Sequence, residues 1–317
     1  MKKLNVLFQM DPLKRLNQDI DSTCKIAREA ILRGHKVFFT EAKNVYFLIN
    51  KIFVKCLFFQ LKKNNFLVTG NKQINLNLCE FDIVFIRQDP PFNMSYISNT
   101  YIHDLRKLTS KAPLFINDPS GIRNFTEKLY PLHFNNIIPD TAITCDKEDI
   151  LKLISNYKKV VLKPLYDRAG NGVTLINDDD KYLLDKIKKL TKGFRERIVV
   201  QEFLENVSKG DKRILLLNGN PLGAINRIPK KNTFKANLHL GAQAKKAVIT
   251  KSDRKICEIL KPSLIENGLF FVGLDIIDEK LTEINVTSPT GIHHLNLLDK
   301  KQIEKTMWNV IEKKVSC

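Results

Sequence analysis

Three oxygen-bearing side chains, Asp275, Glu283 and Asn285, stand in two runs of alternating pattern, FVGLDII at 271–277 and LTEINVT at 281–287. Taking Asp278, Glu279 and Lys280 as a three-residue turn makes these runs a β-hairpin, with Asp275 opposite Glu283 and Ile277 opposite Leu281. Side chains alternate with period two, so Asp275, Glu283 and Asn285 share one face, and Leu274, Ile276 and Ile284 take the other, against a core. Two carboxylates directly opposite each other destabilise a sheet unless a cation lies between them. On spacing alone, a solvated acidic face and a metal site are equal readings; the wholly apolar opposite face favours the metal. Three hard oxygen donors suit Mg²⁺, which keeps waters, uses one or two carboxylates and takes its other ligands from substrate phosphates.

Candidate phosphate partners lie elsewhere. Lys163 ends the apolar run KVVLK and precedes PLYDRAGNG, in which Gly170 and Gly172 flank Asn171. Such a loop can lay backbone N–H groups over phosphates. It lacks the G-x-x-x-x-G-K-[ST] pattern, and read alone it is an ordinary hairpin turn. Lys128, in Thr126-Glu127-Lys128, is a second isolated cation. Gln201-Glu202-Phe203-Leu204 follows an apolar strand and suits either an edge strand or a hinge whose backbone pairs with an adenine edge. Arg213 falls on the same strand face as Leu215 and Leu217, an odd place for a guanidinium without an anion to hold. Arg87, just past a buried strand, stands where open α/β sheets bind ligands. His293 and His294 are adjacent; on a strand they point to opposite faces and cannot chelate one ion.

The elements that must position these groups are readable in outline. A strand at 4–9, a helix capped by Ser22 and ending before Gly34, and a strand at 36–40 give a β-α-β start. No glycine lies between Gln9 and Gly34, so this is not a dinucleotide fingerprint. Further strands are expected at 81–86 and 114–116, and Asn117-Asp118-Pro119 signals a turn and a helix start. Beyond it, helices are expected at 147–156, 179–191, 252–267 and 299–314. Strands are expected at 159–163, 197–203, 212–217 and 223–228, the last two joined by a turn at 218–221. The segment 229–246 is polar, basic and aperiodic, about eighteen residues long, a length at which structureless segments are usually functional.

Composition bounds the class. The chain has 317 residues, which predicts two domains. An apolar fraction of 43% with 27% charged residues excludes wholesale disorder, and 13 glycines with 12 prolines exclude collagen-like and low-complexity chains. The formal charge of +18 suggests an anionic partner, yet 40 of the 52 cations are lysine, scattered beside many Asn and Ile, as a coding bias would leave them. Six cysteines (Cys24, Cys56, Cys79, Cys145, Cys257 and Cys317) form no Cys-x-x-Cys pair, which points to reduced thiols and a cytoplasmic protein. The N-terminal apolar run is too short for a signal segment. The most apolar stretch, 45–61, carries Asn50, Lys51 and Lys55 and reads as short strands, not a membrane span.

Taken together, Met10-Asp11-Pro12, the segments 87–92 and 117–128, Lys163-Pro164-Leu165, Gly210-Asp211-Lys212-Arg213, Arg227-Ile228-Pro229 and, most specifically, VGLDII…LTEINVTSPTGI at 272–292 resemble prokaryotic glutathione synthetase of the ATP-grasp superfamily. The resemblance implies an N-terminal open α/β domain (1–119) and an ATP-grasp fold (120–317) whose two α+β subdomains, a central lid subdomain at about 126–205 and a C-terminal one at about 206–317, clamp ATP. It implies ATP-dependent ligation of γ-glutamylcysteine to glycine through an acyl phosphate, with Mg²⁺ or Mn²⁺, no membrane or nucleic-acid partner, and a homotetramer. By matching positions, Lys128, Lys163, Gly170 and Gly172 would meet ATP phosphates, Gln201, Glu202, Phe203 and Leu204 the adenine, and Asp211 the ribose. Asp275, Glu283 and Asn285 would carry the metal, with Asn285 also touching the nucleotide, and Arg213 would steady the transferring phosphoryl. Arg87, Arg227, Asn237, Ser288 and Thr290 would meet the peptide, and 229–246 would be a lid. The family's lid is glycine-rich with an Arg-Gly-Asn; here Lys235-Ala236-Asn237 stands there and Gly241 is the lid's only glycine. A related ATP-grasp ligase with another acid or amine, and a degenerate anion- or nucleic-acid-binding protein, are the competing readings.

Overall fold

The structure is a computed structural model describing residues 2–62, 65–108, 111–166 and 171–316. The first sheet begins with β1 (Asn5–Met10), α1 (Ser22–Leu32) and β2 (Lys36–Thr40). Asp21, not Ser22, caps α1, its carboxylate accepting from Cys24 N at 2.8 Å. The Ser22 hydroxyl instead accepts from the amides of Gly291 and Ile292. Gly34 takes φ +84°, and the amides of Gly34 and His35 close back onto Ile31 and Ala30, a glycine-ended helix terminus.

The apolar stretch becomes a hairpin of β3 (Val45–Leu48) and β4 (Lys51–Leu61), the second far from short. Then come β5 (Leu67–Thr69), β6 (Ile74–Asn77), β7 (Ile83–Arg87), α2 (Met94–Asp104), β8 (Leu114–Ile116) and α3 (Pro119–Asn124). The strand order is β3-β4-β2-β1-β7-β8, with β2, β1, β7 and β8 parallel and β5 and β6 paired to β4.

The second sheet is antiparallel. It is built from β9 (Thr141–Thr144), α4 (Lys147–Tyr157), β10 (Lys159–Pro164), β11 (Thr174–Asn177), α5 (Leu183–Leu190) and β12 (Ile198–Glu202), in the order β11-β10-β12-β9. Helix α5 starts later than residue 179 because the Asp180 carboxylate accepts from Tyr182 N and holds a turn there. Gly170 lies outside the described residues.

The third sheet carries β13 (Asp211–Leu217), β14 (Asn220–Ile228), β15 (Gln243–Lys246), α6 (Lys251–Glu266), β16 (Phe271–Ile277), β17 (Lys280–Asn285), α7 (Ile292–Asp299) and α8 (Ile303–Ser316). Its order is β15-β14-β13-β16-β17, all antiparallel. The β13–β14 turn is Asn218-Gly219 alone, both at positive φ, a tight hairpin in place of a four-residue turn. The segment 229–246 is not irregular throughout, since its last four residues form the edge strand β15. The end of the chain is two helices: Lys300, at φ 52° and ψ 42°, ends α7 before α8 begins. His293 and His294 therefore lie on a helix, not a strand.

One hydrophobic core joins the first sheet to the third. It holds Val6, Phe8, Ile26 and Phe85 together with Leu215, Leu217, Phe271, Ile292 and the fully buried Trp308, whose indole donates to Ile26 O at 2.9 Å. A second core packs the other face of the third sheet on α6, and the second sheet has its own, built on α4 and α5. Among the described residues, no helix is long and apolar enough to cross a membrane. The five described cysteines are free thiols, and Cys317 lies outside the described residues.

Candidate active site

The face of the third sheet opposite α6 carries a row of charges. The register sets Asp275 opposite Glu283 and Gly273 opposite Asn285. The turn behind this register is two residues, Asp278-Glu279, both at positive φ, so Ile277 pairs with Lys280 and not with Leu281. An irregularity at Thr282 takes up the extra residue and restores the pairing at Asp275. Thr282 Oγ1 donates to Asp275 O at 3.1 Å. Leu274, Ile276, Leu281 and Ile284 fill the core beneath.

Next to Asp275 on β13 stands Arg213, whose Nε and Nη2 grip the two Asp275 carboxylate oxygens, the second at 2.8 Å. Arg227 on β14 reaches the same carboxylate at 3.0 Å and Asp211 at 2.5 Å. Asn285 Nδ2 donates to Asp275 Oδ2 at 3.3 Å. Burial alone would raise the Asp275 carboxyl, but the two guanidiniums override it and hold it well below the usual range. Asp211 follows the opposite course: burial, against the pull of Arg227, pushes it up to about 7. Among the described residues, Asp211 Oδ1 and Arg227 Nε are buried in the cleft with no hydrogen-bond partner.

The second sheet faces this row. Lys163 Nζ donates to Gln201 Oε1 at 2.9 Å and stands 4.0 Å from Glu283. Burial lowers this lysine, against the pull of Glu283. The Gln201 side chain is thus spent on Lys163 and Thr141, the latter at 2.8 Å. Between the two sheets lies a cleft with about 950 Å³ of space between its walls, open to solvent. It gathers Lys128, Lys163, Gln201, Glu202, Phe203, Leu204, Asp211, Arg213, Arg227, Asn237, Asp275, Glu283 and Asn285.

Arg87, Ser288 and Thr290 do not line that cleft; they cluster on the far side of Arg213. Arg87 donates to Thr23 Oγ1 at 3.0 Å and to Pro289 O at 2.9 Å, leaving a buried Nη1 without a partner among the described residues. Ser288 Oγ donates to Arg87 O at 3.4 Å, and Thr290 O accepts from Arg213 Nη1 at 3.5 Å, which links the two groups. Gly172, at φ 68°, sits in the β10–β11 connection beside the cleft residue Val173.

Glu127 and Phe234 are among the cleft residues not singled out in the sequence. Glu127 accepts from Thr287 Oγ1 at 2.7 Å, and burial pushes its carboxyl up to about 6. Its only signal was adjacency to Lys128. Phe234 gave none.

Among the described residues, no three His, Cys, Asp or Glu side chains come together as a metal cage. The donor set of Asp275, Glu283 and Asn285 fits a hard cation that draws its remaining ligands from phosphate and water. Glu283 keeps about a quarter of its side chain exposed toward the cleft.

Comparison with known proteins covers nearly the whole chain. Residues 4–123 match the family model for the prokaryotic glutathione synthetase N-terminal domain, and residues 127–300 that for its ATP-grasp domain. A glutathione synthetase from Mesorhizobium japonicum is 36% identical over 98% of this chain and 99% of its own length. The crystal structure of the D-cycloserine synthetase DcsG matches with a TM-score of 0.67 at 12% identity, over 98% of this chain and 99% of that one. The ATP-grasp ligase PsnB, complexed with a phosphomimetic precursor variant, Mg and ADP, matches at 0.63 and 14%, over 98% of each chain. These two share the fold.

Proposed function

The chain belongs to the prokaryotic glutathione synthetase family, and from that premise we propose that it joins γ-glutamylcysteine to glycine. It is an ATP-dependent ligase of the ATP-grasp fold. The γ-phosphoryl passes to the peptide's C-terminal carboxylate as its bond to ADP breaks. The glycine amine then attacks the acyl carbon, loses a proton, and phosphate leaves with the C–O bond electrons.

The observation that carries this reading is the charged row of Glu283, Asp275, Arg213, Arg227 and Asp211 on one sheet, met across the cleft by Lys163 from another. Such a step needs clustered cations around the phosphoryl and little covalent help from the protein. Lys128 and Lys163 hold the phosphates, residues 201–204 receive the adenine, and Asp211 binds the ribose. Asp275, Glu283 and Asn285 hold Mg²⁺, with Mn²⁺ as its substitute; when bound, the ion neutralises charge on the transferring group. Arg213 steadies the phosphoryl and the acyl phosphate. Arg87, Arg227, Asn237, Ser288 and Thr290 bind the peptide, and segment 229–242 excludes water from the intermediate. A cytoplasmic homotetramer is the assembly the family resemblance implies. The test is phosphate release with γ-glutamylcysteine, glycine and Mg-ATP, each omitted in turn. Release that ignores the omission of glycine, or that needs another amine, would retire this reaction.

A further inference from the structure

The segment 229–242 returns over the cleft and sets Phe234 on its wall beside Lys235 and Ala236. The Phe234 ring meets that of Phe203 edge to face, with centroids 6.1 Å apart and planes at 83°. Phe203 is the first residue beyond β12, and its position is fixed by the strand: its amide donates to Lys159 O, and Lys159 Nζ lies 5.9 Å from its ring centroid. Val161, Val173, Leu204 and Ile277 line the same cleft. This apolar lining suits the faces of a planar heterocycle, as the charged row does not.

Phe234 is half-buried and belongs to none of the hydrophobic cores of the described residues. Its aromatic contact is spent across the cleft, on the strand end that follows Gln201 and Glu202. The segment bearing it has Gly241 as its only glycine and sits close to the sheet, with Ala236 buried.

We propose that Phe234 is a nucleotide-positioning residue, which with Phe203 builds the apolar wall against which the base rests and ties segment 229–242 to the base end of the cleft. The proposal rests on the reading above, in that residues 201–204 take the adenine. An aromatic pair of this kind contributes modestly, so Phe234→Ala should release a fluorescent ADP analogue roughly threefold to tenfold faster. The KM for ATP should rise by the same factor, with the KM for γ-glutamylcysteine unchanged.

The experiment is stopped-flow release of N-methylanthraniloyl-ADP from the wild type, Phe234→Ala and Phe234→Tyr, with inorganic tripolyphosphate as a competitor that has no base. Faster ADP release in Phe234→Ala, recovery in Phe234→Tyr and unaltered tripolyphosphate affinity support the proposal. Unchanged release, or equal losses for ADP and tripolyphosphate, overturn it. Phe203→Ala combined with Phe234→Ala should be no worse than the larger single effect. Nucleotide release is read without peptide, so a wild type that binds ADP yet makes no glutathione would refute the reaction while leaving this measurement interpretable.

Discussion

Replacing Arg213 by alanine separates two roles of one guanidinium. In the structure it grips Asp275 through two bonds and reaches Thr290 O at 3.5 Å. Truncation leaves the Asp275 carboxylate to Arg227, 3.0 Å away. Breaking a buried ion pair costs ~3–5 kcal/mol, and the remaining arginine puts this case near the lower figure, about 3 kcal/mol. A domain stability of ~5–15 kcal/mol absorbs that loss, so the variant still folds, with a lower urea midpoint. Turnover should suffer more. Removing one preorganised donor from a site of developing charge lowers kcat by ~10²–10³. On the proposed assignment Lys128 and Lys163 still meet the nucleotide, so its KM should move by no more than about threefold, the pattern of an interaction made mainly in the transition state. Phosphate release at saturating substrates gives kcat, and an ATP titration gives the KM. A kcat within threefold of wild type, or a loss of ATP affinity as large as the loss of kcat, would refute the role given to Arg213.

Glu283→Gln should abolish divalent-metal-dependent turnover while leaving the circular dichroism spectrum and unfolding midpoint near wild type; normal activity would remove Glu283 from the metal site. At Gly273, an added Cβ would stand 3.2 Å from both Arg213 Cδ and Pro289 Cβ, so Gly273→Ala should displace the guanidinium and lower kcat about tenfold to a hundredfold, and an unaltered kcat would show that Arg213 is not so tightly placed. Burial, reinforced by Arg106, lowers the His103 imidazole from 6.5 to about 3. Below pH 6.5 the unfolded chain therefore takes up a proton that the folded one does not: this stability is complete above pH 6.5 and is lost as pH falls toward 3, about 2 kcal/mol of it by pH 5. His103→Gln should flatten that part of the stability–pH curve, and parallel curves for variant and wild type would refute the assignment.

The residues legible in the sequence were those whose placement follows from a local period. Alternation alone put Asp275, Glu283 and Asn285 on one face, and put Arg213 where an anion had to meet it. The Asp275–Glu283 pairing came from a compensation: the turn is one residue shorter than expected, and the irregularity at Thr282 restores the register. What stayed hidden depends on segments far apart in the chain. Asp21 and Ser22 are both good N-caps, and only the approach of Gly291 and Ile292 occupies Ser22 elsewhere. Glu127 meets Thr287 across 160 positions. The Gln201 side chain orients Lys163 because β10 and β12 are paired neighbours. Phe234 lies in a segment without period, so no pattern marks it.

The cores also decide which part of the cleft can open. The first and third sheets share one core, and Trp308, Leu215 and Phe271 sit inside it. Asn117 stitches the same seam, with its side-chain amide donating to Phe271 O and Val286 O and its carbonyl accepting from Phe271 N. Parting these sheets would expose Trp308, and even one large apolar side chain costs ~1.5–3 kcal/mol to uncover. The second sheet keeps its own core, and polar contacts bridge it to the third: Lys280–Glu202 at 3.0 Å, Asn206–Asp278 at 2.9 Å and Lys163–Glu283 at 4.0 Å. Of these, Lys280–Glu202 is a partly exposed ion pair, a kind that contributes ~0–1 kcal/mol, whereas Lys163 is buried. The second sheet can therefore swing away from the third without uncovering its own core, while the corner holding Arg87, Ser288 and Thr290 stays built. On the proposed assignment, nucleotide enters at the seam between these two sheets, and the peptide meets the corner held by the shared core. The Phe203–Phe234 contact, between the end of β12 and the segment leaving β14, crosses the seam between these two sheets.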